Sequence, residues 1–188
     1  EMFSLESGAP IVMMAPPAHT ALRKLAIKRM TPQQVRGLEP LLREFVVARV
    51  ERLRERGEGD VVAELLKPLP SRVVAHFLGV PPEDRSHFDR WTEAIVAANA
   101  GGNVLGAADA VGEMSGYFAA LLERRRREPG EDLISALVHG RLKTGEAVSP
   151  AQVLGMGFTM VTGGSDTTTG LLGGALEVLT RHPAHRPG

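Results

Sequence analysis

Ser149-Pro150-Ala151-Gln152 opens a stretch that runs to Arg181-His182-Pro183, and its centre reads Thr162-Gly163-Gly164-Ser165-Asp166-Thr167-Thr168-Thr169-Gly170. Its start is marked three ways: Ser149 can cap a helix, Pro150 suits the first helical position, and Gln152 completes a capping box. The apolar pattern continues to Leu179, where Arg181 and His182 in the last turn and Pro183 behind them mark the end. The spacing predicts a helix over 150–181, and roughly 32 residues at 1.5 Å each span about 48 Å. A helix of that length crosses a whole domain.

The middle of this helix is poor in helix formers. Gly163 and Gly164 each cost about 1 kcal/mol relative to alanine, and Thr167, Thr168 and Thr169 add β-branched residues. Three readings of that loss compete. Val153 to Leu176 carries one formal charge and contains Gly170-x-x-x-Gly174, as a membrane span would. Yet Gly, Thr, Ser and Asp are too frequent in it, and no aromatic belt or one-sided basic loop flanks it. In the second reading the glycines let another helix cross closely. In the third they make room for a flat ligand, the threonine hydroxyls bond back to the preceding turn and open it, and Asp166 is expensive to bury unless paired or used. Spacing alone leaves the last two open.

With 43% hydrophobic and 23% charged residues, the 188-residue chain has a globular balance, and no internal repeat, low-complexity tract or long linker divides it. Lys and Arg equal Asp and Glu at 22 each, which removes any global electrostatic argument for nucleic acid or an anionic membrane as partner. No cysteine is present, so no disulfide, zinc-thiolate site or other thiolate ligand comes from this chain. Glu1-Met2-Phe3-Ser4-Leu5-Glu6 has neither the basic start nor the apolar run of a signal peptide, so a cytoplasmic location is expected. The start without methionine and the stop at Gly188 just past a helix end suggest a chain cut at both ends.

Outward from the central stretch, residues 1–15 have no sustained period and read as a loop. Pro16-Pro17 starts a helix over 16–30 that carries His19 and Arg23 on one face. Thr31-Pro32-x-Gln34 is a second cap, and Val35 to Arg56 shows apolar residues at helical spacing with a solvated Arg/Glu face, broken or kinked early by Pro40. A helix through Val73, Val74 and Phe77 stops at Gly79. Helices from Asp84 to about Ala98 and from about Gly106 to Arg127 flank Ala100-Gly101-Gly102-Asn103, a hinge by composition. Lys143 to Val148 reads as a turn or tiny hairpin.

Gly163-Gly164-Ser165-Asp166-Thr167-Thr168 resembles the oxygen-activating motif Ala/Gly-Gly-x-Asp/Glu-Thr-Thr/Ser on the long central helix of the haem-thiolate monooxygenases, the cytochrome P450 family. Three further stretches resemble bacterial members in the family's order. Pro16-Pro17-x-His19-x-x-x-Arg23 is similar to the haem-propionate clamp, although Ala15 stands where Asp is usual. Phe77-Leu78-Gly79-Val80-Pro81-Pro82-Glu83-Asp84-Arg85 resembles a Leu-Gly-Val-Pro-x-x-Asp-Arg link between two helices, and Glu131 to Val138 resembles the short helix before the central one.

The resemblance implies a partial, mainly α cytochrome P450 domain over 1–188, with a clamp helix at 16–30, lid helices at 84–127 and the long central helix at 150–181. It implies haem as cofactor, O2 as co-substrate, a small organic substrate, and insertion of one oxygen atom using electrons from a redox partner. His19 and Arg23 would bind the propionates, Gly163 and Gly164 would leave room at the porphyrin face, Thr167 and Asp166 would deliver protons, and Thr159 and Thr162 would face the substrate pocket. Lys24, Lys28 and Arg29 would dock a ferredoxin-type partner. The family's axial cysteine has no counterpart here, and its Glu-x-x-Arg helix and Cys loop would lie beyond Gly188; Glu123 to Arg126 fits Glu-x-x-Arg by chance on the wrong helix. The isolated chain is therefore expected to be inactive. The alternative is a non-catalytic all-α binding or regulatory protein whose Gly/Thr helix is only a close-packing device.

Overall fold

The computed structural model describes residues 10–101, 104–142 and 145–185. Among these the helices are α1 (Ala18–Ala26), α2 (Pro32–Gly37), α3 (Glu39–Arg56), α4 (Pro68–Leu78), α5 (Arg85–Ala100), α6 (Ala108–Arg127), α7 (Leu133–Val138) and α8 (Pro150–Arg181). The only β pairing described is an isolated antiparallel bridge between Arg141 and Ala147, so the described residues form an all-α fold.

Cap chemistry sets the clearest boundaries. Ser149 Oγ accepts from the Gln152 N–H at 3.2 Å while Gln152 Oε1 accepts from the Ser149 N–H at 2.9 Å, and α8 starts where this box closes. Thr31 and Gln34 do the same for α2, at 3.3 and 3.0 Å.

Several expectations are corrected. The helix expected over 16–30 runs from Ala18 to Ala26 and tightens into a 3-10 turn over Ile27–Arg29, and Ile11–Met13 is a 3-10 turn rather than loop. The early interruption expected near Pro40 is a break, not a kink: the chain breaks at Leu38, and Pro40 falls in the first turn of α3, where its missing N–H is tolerated. Helix α3 buries only Phe45, against Leu65 and Leu66, and leaves Val47 and Val50 exposed. Gly102, Asn103, Lys143 and Thr144 lie outside the described residues, and α5 runs through Ala100.

The main core joins α4, α5, α6, α7 and the first half of α8 through Leu78, Phe88, Phe118, Leu133, Leu137 and Val161. Burial of each such side chain is worth about 1.5–3 kcal/mol. One polar tie crosses it. Gly79 ends α4 at φ 75°, Arg125 of α6 donates through Nη2 to the Gly79 carbonyl at 3.0 Å, and its Nε donates to Asp132 Oδ2 at 2.6 Å. Asp132 Oδ1 in turn caps α7 by accepting from the Ser135 N–H at 2.7 Å. A side chain at Gly79 would run into Asp132, which explains the glycine twice over.

Candidate functional site on the central helix

From Val153 to Ser165 helix α8 contributes buried residues, and none follows Ser165. The Gly/Thr stretch therefore lies where α8 leaves the core. Thr159, Thr162, Thr167 and Thr169 each donate a hydroxyl proton to the carbonyl four residues back, at 2.8, 3.0, 2.7 and 2.9 Å. This commits the hydroxyl protons within the helix, but the helix is not opened: it is continuous α from Pro150 to Arg181. Thr169 also reaches the Leu66 carbonyl at 3.2 Å, pinning α8 to the π-helical turn Val62–Leu66.

The two central glycines differ in surroundings. A methyl group on Gly164 would sit 2.8 Å from Val74 Cγ2, so this position belongs to the crossing of α4 and α8. On Gly163 it would meet nothing within 4 Å, and Gly163 is exposed, as are Asp166 and Thr167. The burial penalty expected for Asp166 thus does not arise. Its carboxylate has no hydrogen bond or ion pair among the described residues, and it lines a cleft of about 340 Å³ between α4, α5 and α8 with Lys67, Ser71, Asp89, Thr92 and Ser165. The Ser71 hydroxyl bonds Asp89 at 2.5 Å, and Lys67 pairs with Glu93 at 3.3 Å at the cleft edge. Thr159 and Thr162 are half-buried and do not line this cleft. Sequence reasoning missed Ser71, Asp89 and Thr92, because no local pattern signals a cleft assembled from three helices.

His19 is half-buried and Arg23 exposed on α1, which rests on α7 rather than joining the α8 group. Neither side chain is hydrogen-bonded or ion-paired among the described residues. Donors four residues apart on one face suit a pair of carboxylates, and the clearance over Gly163 suits a flat ring, so the residues present fit haem. Among the described residues no group of His, Asp and Glu could hold a metal ion directly, and no helix is long and apolar enough to cross a membrane.

No family model matches the chain. It is 54% identical over 188 residues to cytochrome P450 130 of Mycobacterium tuberculosis, covering 99% of this chain and 46% of that protein. It is 36% identical over 176 residues to the erythromycin C-12 hydroxylase of Saccharopolyspora erythraea, covering 90% and 43%. The solved structure of cytochrome P450 CYP109Q5 from Chondromyces apiculatus superposes with a TM-score of 0.82 at 38% identity, covering 97% of this chain and 45% of that one. The chain thus spans somewhat less than half the length of these relatives. Motifs, fold and likeness over nearly its whole length agree that the chain belongs to the cytochrome P450 family.

Proposed function

We propose that this chain is the helical part of a bacterial haem-dependent monooxygenase that inserts one atom of O2 into a small organic substrate. When bound, haem supplies the redox chemistry that activates O2. His19 and Arg23 hold its two propionates by charge-assisted hydrogen bonds, and Gly163 leaves clearance for the ring. Thr167 donates to the Gly163 carbonyl, which leaves its oxygen lone pairs free to accept a proton-bearing partner. Asp166 takes protons from the cleft and passes them toward Thr167. Thr159 and Thr162, with hydroxyls satisfied inside the helix, present methyl groups suited to an apolar substrate.

The observation that carries this reading is that unpaired Asp166 lines a solvent-open cleft while its neighbour Thr167 lies on the same exposed face as Gly163, one helical turn apart. Lys24, Lys28 and Arg29 make no ion pair among the described residues and form the docking face for an acidic ferredoxin-type partner. An axial thiolate would have to come from residues outside this chain, which has no cysteine. The alternative of a non-catalytic binding protein is disfavoured by the 54% likeness to a cytochrome P450.

In the full-length protein, Thr167→Ala is expected to keep haem and substrate binding but lower product formed per reducing equivalent, with hydrogen peroxide released instead. Asp166→Asn is expected to slow turnover and enlarge the solvent isotope effect. Undiminished yield per reducing equivalent in Thr167→Ala would remove the threonine from the proton path.

A further inference from the structure

A second concavity, of about 530 Å³, lies away from α8, between the 3-10 turn after α1, the turn at Pro129 and Gly130, and the end of α7. Lys28, Arg29 and Arg141 line it with His139, and no Asp or Glu does. None of these three cations is ion-paired among the described residues, so like charges line one hollow with no carboxylate in its lining to offset them. One neutral donor, the Ser135 hydroxyl, points the same way chemically. Ser135, buried, accepts from the Gly130 N–H at 2.8 Å and keeps its own hydroxyl proton to donate. His139 Nε2 lies 2.9 Å from the Arg125 carbonyl and donates to it, which fixes the ring at the rim. Arg141 spends one Nη1–H on the Gly145 carbonyl at 3.1 Å and retains its other donors.

We propose that this hollow binds a small phosphate-bearing molecule. Two guanidinium forks and an ammonium match the several oxygens of a phosphoryl group, and arginine takes such groups bidentately. The concave shape and a volume in the usual range for small-molecule sites favour a small ligand over the flat contact of a protein partner. None of these side chains is assigned to the haem or to proton transfer, but Lys28 and Arg29 also belong to the face proposed for the ferredoxin-type partner, and the experiment separates the two uses.

The test is calorimetric titration of the full-length protein with inorganic pyrophosphate at constant ionic strength. Saturable one-to-one binding is expected. Lys28→Gln combined with Arg141→Gln, both at exposed positions, should weaken it by about tenfold or more, while Lys28→Arg with Arg141→Lys should retain it. The control pair Arg43→Gln and Arg54→Gln, both on α3, which contributes nothing to the hollow, should leave the affinity unchanged. Absence of saturable heat overturns the proposal, as does equal weakening by the control pair, which would mean diffuse charge attraction. It is equally overturned if the Lys28/Arg141 pair slows reduction by an acidic ferredoxin yet leaves pyrophosphate affinity as it was, because the hollow is then protein-contact surface.

Discussion

At Gly164 a methyl group would come within 2.8 Å of Val74 Cγ2, whereas at Gly163 it would meet no atom within 4 Å, so substitutions at neighbouring positions separate packing from ligand clearance. Gly164→Ala must push against a stiff β-branched side chain in a filled core, and is expected to destabilise the protein by about 1–3 kcal/mol, read from its urea midpoint. Gly163→Ala should add up to about 1 kcal/mol of helix stability to the haem-free protein, yet reduce haem affinity. Equal stability effects at both positions would contradict this division. At the same scale, Arg23→Ala in the full-length protein should lower haem occupancy, since it removes a charge-assisted partner of a carboxylate; full occupancy with unchanged thermal stability would show the clamp to be misassigned.

Among the elements, the junction of α4, α6 and α7 depends on Arg125 and Asp132, whose side chains are only 17% and 7% exposed. Arg125→Ala leaves a buried carboxylate without its counter-ion and should destabilise by about 3–5 kcal/mol in equilibrium unfolding. Gly79→Ala combines a positive φ with contact against Asp132 and should also destabilise, by more than about 1 kcal/mol. Helix α6 is tied to the 3-10 turn Pro82–Asp84 that leads into α5 by the Tyr117 hydroxyl donating to Asp84 at 2.8 Å. Burial first, and then the bond to Asp84, push the Tyr117 phenol above its ordinary value of 10.0. The folded state therefore holds this proton more tightly than the unfolded one, and its contribution is present below about pH 10 and lost as pH rises further. Tyr117→Phe should flatten that alkaline loss of stability, as measured by denaturant midpoints on either side of the ordinary phenol value.

For the whole molecule, the second half of α8 leaves Leu171, Leu176 and Val178 exposed at 73%, 41% and 55%, on a helix whose first half is core. With no cysteine, the 188-residue chain expressed by itself should not give the reduced carbon-monoxide spectrum of a thiolate-ligated haem. Recording that spectrum would overturn the ligand assignment. Charge reversal at Lys24 and Lys28 in the full-length protein should slow electron delivery most at low salt, because exposed charges steer association over a distance that salt shortens. An unchanged reduction rate at low salt would move the docking face elsewhere.

The sequence by itself determined the all-α class, the two capping boxes and the span of α8. Caps and helical periodicity are interactions between residues three or four apart, and Ser149 with Gln152 or Thr31 with Gln34 needs no distant partner to act. The same locality made Gly79 legible as a helix end. Only tertiary structure decided which glycine packs and which stands clear, because that depends on Val74 of another helix. Asp166 could not be read as exposed from an apolar stretch, and the cleft beside it draws on α4 and α5 as much as on α8. Thr169 illustrates the limit: its hydroxyl bonds the Leu66 carbonyl across 103 residues of chain. A contact of that separation is set by how whole helices cross, which no local spacing encodes.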